Sequence, residues 1–292
     1  MSEDIREKPS ITHNNVTELN FIRSSPSWVF RRHYRQGLRS HIMEILHPCD
    51  VQKEQTGVLV DGIRLFPKAT PTKMFRIFRA RLQTLAKVMQ EIERVKLVER
   101  YLAPDFMATS TECIVDYQRP DGRDLLLCGF QEYVKGEVLD PWTVLESDQV
   151  LPVLYETIQR QESGFFTSKG EWISLVQKKG ESFIKKIKTM VSETGHIPDL
   201  AGTGNLIITA SGNICLVDIN NISPVTMEAS ILLDEKGYPV CDKSIQALSL
   251  IEEKILGRPI DRNEKIYSWF LNPKRRVSVK FQEDRFWKMK KP

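Results

Sequence analysis

The chain is expected to fold as an α+β protein in two parts, a small mixed β/α part followed by a mainly helical one. Three observations lead there. Short apolar runs bounded by turn residues stand at 57–68, 111–117 and 125–134. Longer segments with apolar residues at near-helical spacing stand at 72–102, 139–192 and 242–256. Between the last two lies a polar, glycine-containing loop followed by a short hairpin, residues 195–220.

Length and composition bound the reading. A chain of 292 residues can form one large domain or a two-lobed unit. Hydrophobic residues at 41% and charged residues at 27% are ordinary for a globular protein. The net charge of +4 is too mild to mark a nucleic-acid binder by composition. No apolar run approaches the roughly 20 residues that span a bilayer. Met1 to Ser10 is polar and charged, unlike a signal peptide. The five cysteines (Cys49, Cys113, Cys128, Cys215, Cys241) show no C-x-x-C, so a reduced, cytoplasmic protein without a zinc site is expected.

Residues 1–20 are polar and expected to be loose. From Phe21 to Leu46 the chain is basic and aromatic, with Arg23, Arg31, Arg32, Arg35 and Arg39 and no acid until Glu44. Such a stretch binds phosphates, RNA or an anionic membrane, or is a solvated face with aromatic anchors. His33, His41 and His47 lack metal-ligand spacing. Gly57 to Lys68 alternates and contains Asp61-Gly62, which predicts a strand or hairpin. In Thr72 to Leu102, Phe75, Phe78, Leu82, Leu85, Met89, Ile92, Leu97 and Tyr101 predict one helix, with Pro71 at its start and Pro104 beyond its end. Thr111–Tyr117 and Leu125–Val134 read as strands joined by a turn at Arg119-Pro120-Asp121-Gly122.

Leu139 to Ser192 reads as mainly helical, punctuated by Gly164, Gly170 and Gly180, with Lys185, Lys186 and Lys188 on a solvated face. Gly195 ends that helix. Leu206-Ile207-Ile208 and the run to Leu216-Val217 predict a hairpin about Ser211-Gly212-Asn213. Asn205 enters it and Asp218 leaves it, so antiparallel pairing brings an amide oxygen and a carboxylate together. Two hard oxygens at a strand end suit Mg²⁺, which also takes waters and substrate phosphates; an ordinary Asx-rich hairpin is the alternative. Asp234 to Tyr238 predicts a turn, and Asp242 is expected to cap a helix through Leu256. From Asn272 the tail is basic and aromatic, with Lys274, Arg275, Arg276, Lys280, Arg285, Trp287, Lys288, Lys290 and Lys291. It suits an acidic partner, nucleic acid or an anionic membrane, or is a solvated terminus.

Asp199, Asn205 and Asp218 resemble the catalytic loop and metal-binding segment of the protein-kinase-like superfamily, where His-x-Asp, Asn, a hairpin and Asp follow in that order. The interval from Asn205 to Asp218 matches, while the loop before Asn205 carries one extra residue and Asp218 is followed by Ile219-Asn220 instead of Phe-Gly. The resemblance implies a two-lobed protein-kinase-like fold: an extension at 1–56, an N-lobe at 57–136 and a C-lobe at 137–292. It implies ATP and Mg²⁺ as cofactors and a protein or small-molecule hydroxyl as phosphoryl acceptor. Asn205 and Asp218 would hold the metal, and Asp199 with Asn205 would act in catalysis. Gly202 and Gly204 would let the loop backbone approach phosphates. In the N-lobe, Lys68 (or Arg64) would hold the nucleotide phosphates, paired with Glu93 (or Glu91). The backbone of Glu132 and Val134 would bind adenine. No Gly-x-Gly-x-x-Gly lies upstream, so a catalytically inactive pseudokinase stays open, as does a protein whose basic ends bind nucleic acid or membrane.

Overall fold

Five apolar-rich runs pair into one antiparallel sheet in the first part of the chain. The computed structural model describes residues 3–23, 28–37, 39–119, 122–145, 149–161, 167–234 and 237–290. Pro120 and Asp121 of the first expected turn, Glu235 and Lys236 of the second, Gly164 and Lys291 lie outside the described residues. The chain divides into two units, one of residues 1–93 and 109–133, the other of residues 94–108 and 134–292.

The first unit contains α1 (His13–Thr17), β1 (Val29–Arg32), β2 (Ser40–Leu46), α2 (Pro48–Thr56), β3 (Val58–Val60), β4 (Ile63–Leu65) and β5 (Lys73–Phe78). It continues with the N-terminal half of α3 (Leu85–Leu102), β6 (Ser110–Arg119) and β7 (Gly122–Glu132). The sheet order is β1-β2-β5-β7-β6, antiparallel throughout. Phe75, Ile77, Leu126 and Cys128 pack on one face with Met43 and with Ile5, Ile11 and Val16 from the N-terminal segment. Phe78 and Leu127 pack on the other with Leu82 and Val88. The period of two in these strands is what sends alternate side chains to the two cores.

Three expectations change here. Residues 3–20 are not loose: Ile5, Ile11 and Val16 are buried, and the fully buried Arg6 guanidinium pairs with Asp4 at 2.8 Å and Asp124 at 2.9 Å. Residues 1–56 are no separate extension, since β1 and β2 belong to the sheet. The single helix expected over 72–102 is β5, a connection, and then α3, because 73–78 is a central strand with neighbours on both edges. The expected hairpin at 57–68 is present as β3–β4, standing apart from the main sheet. Its turn has Asp61 at φ 49° and Gly62 at φ 79°, the pair of left-handed residues that a type I′ turn needs. The basic stretch 21–46 is neutralised in part, at Arg31 and Arg39. Glu44 takes both Arg31 (2.6 Å) and His33 (2.8 Å), and Arg39 pairs with Glu91 at 3.2 Å.

The second unit contains the rest of α3, β8 (Glu137–Val138), α4 (Val150–Gln161), α5 (Lys169–Thr194), β9 (His196–Pro198), β10 (Leu206–Ile208), β11 (Ile214–Leu216) and β12 (Ile222–Pro224). Helices α6 (Val240–Leu256), α7 (Lys265–Phe270) and α8 (Pro273–Lys290) complete it. Its core gathers Trp172, Phe183 and Ile187 of α5, Ile245, Leu248 and Ile251 of α6, and Leu206, Ile208 and Leu216 of the hairpin. Ser168 caps α5, with Glu171 returning the bond in a capping box, and Gly195 ends it in the left-handed region at φ 64°. Gly170 and Gly180 do not interrupt α5. A Cβ on Gly180 would stand 2.8 Å from Ile255, so its bare backbone is what lets α6 pack close. Lys188 is not simply solvated, since it pairs with Glu252 at 2.6 Å and Glu264 at 2.7 Å. Asp242 lies within the first turn of α6 instead of capping it, and its carboxylate is bonded by Arg275 of α8. Among the described residues, no helix is long and apolar enough to cross a membrane.

Candidate functional site

The loop 199–205 is assembled from its own backbone outward. Strand β9 pairs antiparallel with β12, and the Asp199 amide donates to the Asn221 carbonyl at 2.8 Å, which fixes where the loop begins. Asp199 Oδ1 accepts from the amides of Ala201 (3.0 Å) and Gly202 (3.1 Å), and Oδ2 accepts from Asn221 Nδ2 (3.1 Å). The loop closes on Asn205. Its Nδ2 donates to the Asp199 carbonyl at 2.9 Å and its amide to the Gly202 carbonyl at 3.0 Å. A Cβ on Gly202 would stand 2.4 Å from Asn205 Nδ2, and Gly204 has φ 86°, so both positions need glycine.

The hairpin then carries the second acid to the loop. Leu206 pairs with Leu216, and the Val217 amide donates to the Asn205 carbonyl at 2.8 Å, so Asp218 leaves the strand beside Asn205. Asp199 and Asn205 are buried and Asp218 is half-buried. Burial, with the negative charge of Asp218 nearby, pushes the Asp199 carboxyl up to about 6, against the opposing pull of its three donors. A buried carboxyl close enough to a second acid to feel its charge makes a site that a divalent cation would relieve.

Asn205 and Asp218 are the side chains that could hold such a cation. The Nδ2 bond to Asp199 directs the amide and leaves Asn205 Oδ1 as an oxygen ligand. Among the described residues no group of three or more His, Cys, Asp or Glu is arranged around a common metal position. Two protein oxygens completed by water and phosphate is a coordination that Mg²⁺ accepts and zinc does not favour. His196 directs Nδ1 to the Thr194 carbonyl at 2.7 Å, a positioning bond to backbone.

Residues that sequence reading missed hold this loop in place. Trp142 Nε1 donates to the Ala201 carbonyl at 2.7 Å, and Ser244 Oγ of α6 accepts from the Leu200 amide at 3.2 Å. The Lys243 ammonium lies 4.4 Å from the Trp142 ring centroid and pairs with Glu283 at 2.8 Å. Trp142 follows Asp140, whose carboxylate accepts its amide at 2.8 Å in an Asx turn; Asp-Pro-Trp was the available signal for that turn.

In the first unit the expected phosphate pair does not form. Lys68 is exposed beyond the end of β4, and Glu93 is exposed on α3, with neither in a hydrogen bond or ion pair among the described residues. Pro67 explains this, because the hairpin has ended before Lys68. The fallback Arg64 donates to the Thr56 carbonyl at 2.6 Å, and Glu91 serves Arg39. A different buried cation stands on the strand before the helix. Arg76 of β5 bonds Glu112 and Ser110 of β6, each at 2.8 Å. Glu132 ends β7, exposed, with its amide given to the Thr109 carbonyl at 2.8 Å. Val134 is half-buried and is where the chain re-enters the second unit.

A scan of protein-family models and a search of curated proteins each returned no match to this chain.

Proposed function

We propose that this chain is an Mg²⁺- and ATP-dependent phosphotransferase of two-lobed, protein-kinase-like build, which moves the γ-phosphoryl group to a hydroxyl of a protein or small molecule. The observation that carries the reading is that the β10–β11 hairpin brings Asp218 beside the hydrogen-bonded loop that holds Asp199 and Asn205. Phosphoryl transfer needs positioning and charge neutralisation more than covalent participation. Asp218 and Asn205 supply oxygens to the metal that neutralises the phosphates. Asp199 has about four acceptor positions on its carboxylate; three are taken by Ala201, Gly202 and Asn221, and the remainder receives the acceptor hydroxyl. A carboxyl raised to about 6 is ionised at neutral pH and is a better proton acceptor than an ordinary aspartate. The partners on this reading are the nucleotide and the acceptor, and the basic α8 adds a surface for an acidic partner or an anionic surface. A cytoplasmic setting, rich in ATP and Mg²⁺ and reducing enough for five free thiols, suits it.

Calorimetric titration of ATP with and without Mg²⁺, on the wild type and on Asp218→Ala, tests the proposal. Binding that requires Mg²⁺ and is lost in the variant is expected. Absence of binding under both conditions overturns it. A second reading, a pseudokinase that binds nucleotide without transferring phosphate, draws on the exposed, unpaired Lys68 and Glu93. Metal-independent ATP binding that Asp218→Ala leaves unchanged would favour it.

A further inference from the structure

We propose that the outward face of α8 binds the surface of an anionic lipid bilayer. This helix runs for 18 residues, about 27 Å at 1.5 Å per residue. It is held to its unit by a narrow stripe: Val279 and Phe286 are buried, Arg275 pairs with Asp242, and Glu283 with Lys243. The opposite side has no such cover. Val277 and Phe281, one turn apart, are 72% and 66% exposed. Around them stand the exposed Lys274, Arg276, Lys280, Arg285 and Lys288, against a single exposed acid, Asp284, which lies 4.0 Å from Lys280. The other four cations have no ion pair among the described residues.

In the other basic stretch Arg31 and Arg39 are matched to Glu44 and Glu91, while Arg23, Arg32 and Arg35 have no ion pair among the described residues. On α8, Lys274, Arg276, Arg285 and Lys288 likewise have none, and they stand on the same helix as two exposed apolar side chains. Charge complementarity therefore calls for an anionic occupant. A phosphate backbone would engage the lysines and arginines but leave Val277 and Phe281 in water. A bilayer interface takes both at once: aromatic and aliphatic side chains enter the acyl boundary while long cationic side chains reach the headgroups. Each cation near an anionic leaflet adds to the attraction, and salt screens it.

The full chain is to be sedimented with vesicles of phosphatidylcholine alone and of phosphatidylcholine mixed with phosphatidylserine, at low and high salt. Binding only to the serine-containing vesicles, weakened by salt, is expected. Val277→Ser/Phe281→Ser keeps every charge and is expected to weaken binding about tenfold or more, through lost apolar burial. Lys280→Glu/Arg285→Glu/Lys288→Glu is expected to abolish it. All five positions are exposed, and unchanged circular dichroism shows that each variant folds. No binding to the anionic vesicles, or equal binding to neutral ones, overturns the proposal. So does an undiminished Val277→Ser/Phe281→Ser variant whose vesicle binding is competed away by duplex nucleic acid, which would assign α8 to a phosphate backbone.

Discussion

Gly202 stands where a methyl group does not fit. Alanine there would press on the Asn205 amide from 2.4 Å, and overpacking of this kind costs about 1–3 kcal/mol. Gly202→Ala is expected to lower the unfolding free energy by that amount, read from a lower urea midpoint, and to remove Mg²⁺-dependent nucleotide binding, because Asn205 must rotate away. His41 gives a pH prediction. It is buried, with Nε2 bonded to the Ile5 carbonyl at 3.0 Å, and burial with the charge of Arg79 lowers its pKa below the ordinary 6.5. The unfolded chain takes up the proton first as pH falls. The stability contribution is therefore complete above about pH 6.5 and lost as pH drops below it towards the folded value. Urea midpoints measured from neutral pH to about pH 5 should fall with pH, and less steeply in His41→Gln. At this scale the meeting of Asn205 and Asp218 at the strand end was legible, because the hairpin spacing along the chain sets it. Trp142, Ser244 and Asn221 were not, because each reaches the loop from a distant or separately paired segment.

Among elements, β5 shows where periodicity misleads. Phe75, Phe78, Leu82 and Leu85 fit a helical stripe, yet Phe75 and Ile77 face one core while Phe78 faces the other. A strand buried on both faces carries apolar residues on both and loses its alternation, and only pairing with β2 and β7, distant in sequence, distinguishes it. The ion pair of β5 and β6 follows from the same geometry. Arg76 and Glu112 are almost fully buried, and Glu112 Oε2 has no hydrogen-bond partner. Removing one partner strands a charge, so Arg76→Ala is expected to cost about 3–5 kcal/mol in chemical denaturation, and Arg76→Met/Glu112→Leu much less. The hairpins, by contrast, were legible locally. Asp61-Gly62 and Ser211-Gly212-Asn213 set their turns without distant help.

For the molecule as a whole, the mixture of paired strands and helices was legible as an α+β chain. The division into units was only partly so, because residues 94–108 join the later unit and residues 1–56 the sheet. Thiol chemistry samples the whole molecule at once. Cys49 is exposed and Cys113 half-buried, while Cys128, Cys215 and Cys241 are buried. Burial also raises Cys128 strongly and pushes Cys241 up to about 12, which suppresses the reactive thiolate. Alkylation followed by mass spectrometry should modify Cys49 first, Cys113 more slowly and the other three only after denaturation. The free-standing β3–β4 hairpin has a practical use. Its strands bond to each other and not to the main sheet, and a side chain at Gly62 would meet nothing within 4 Å. The Asp61-Gly62 tip is therefore the place to splice in an affinity tag or a fluorescent reporter with the five-stranded sheet left intact.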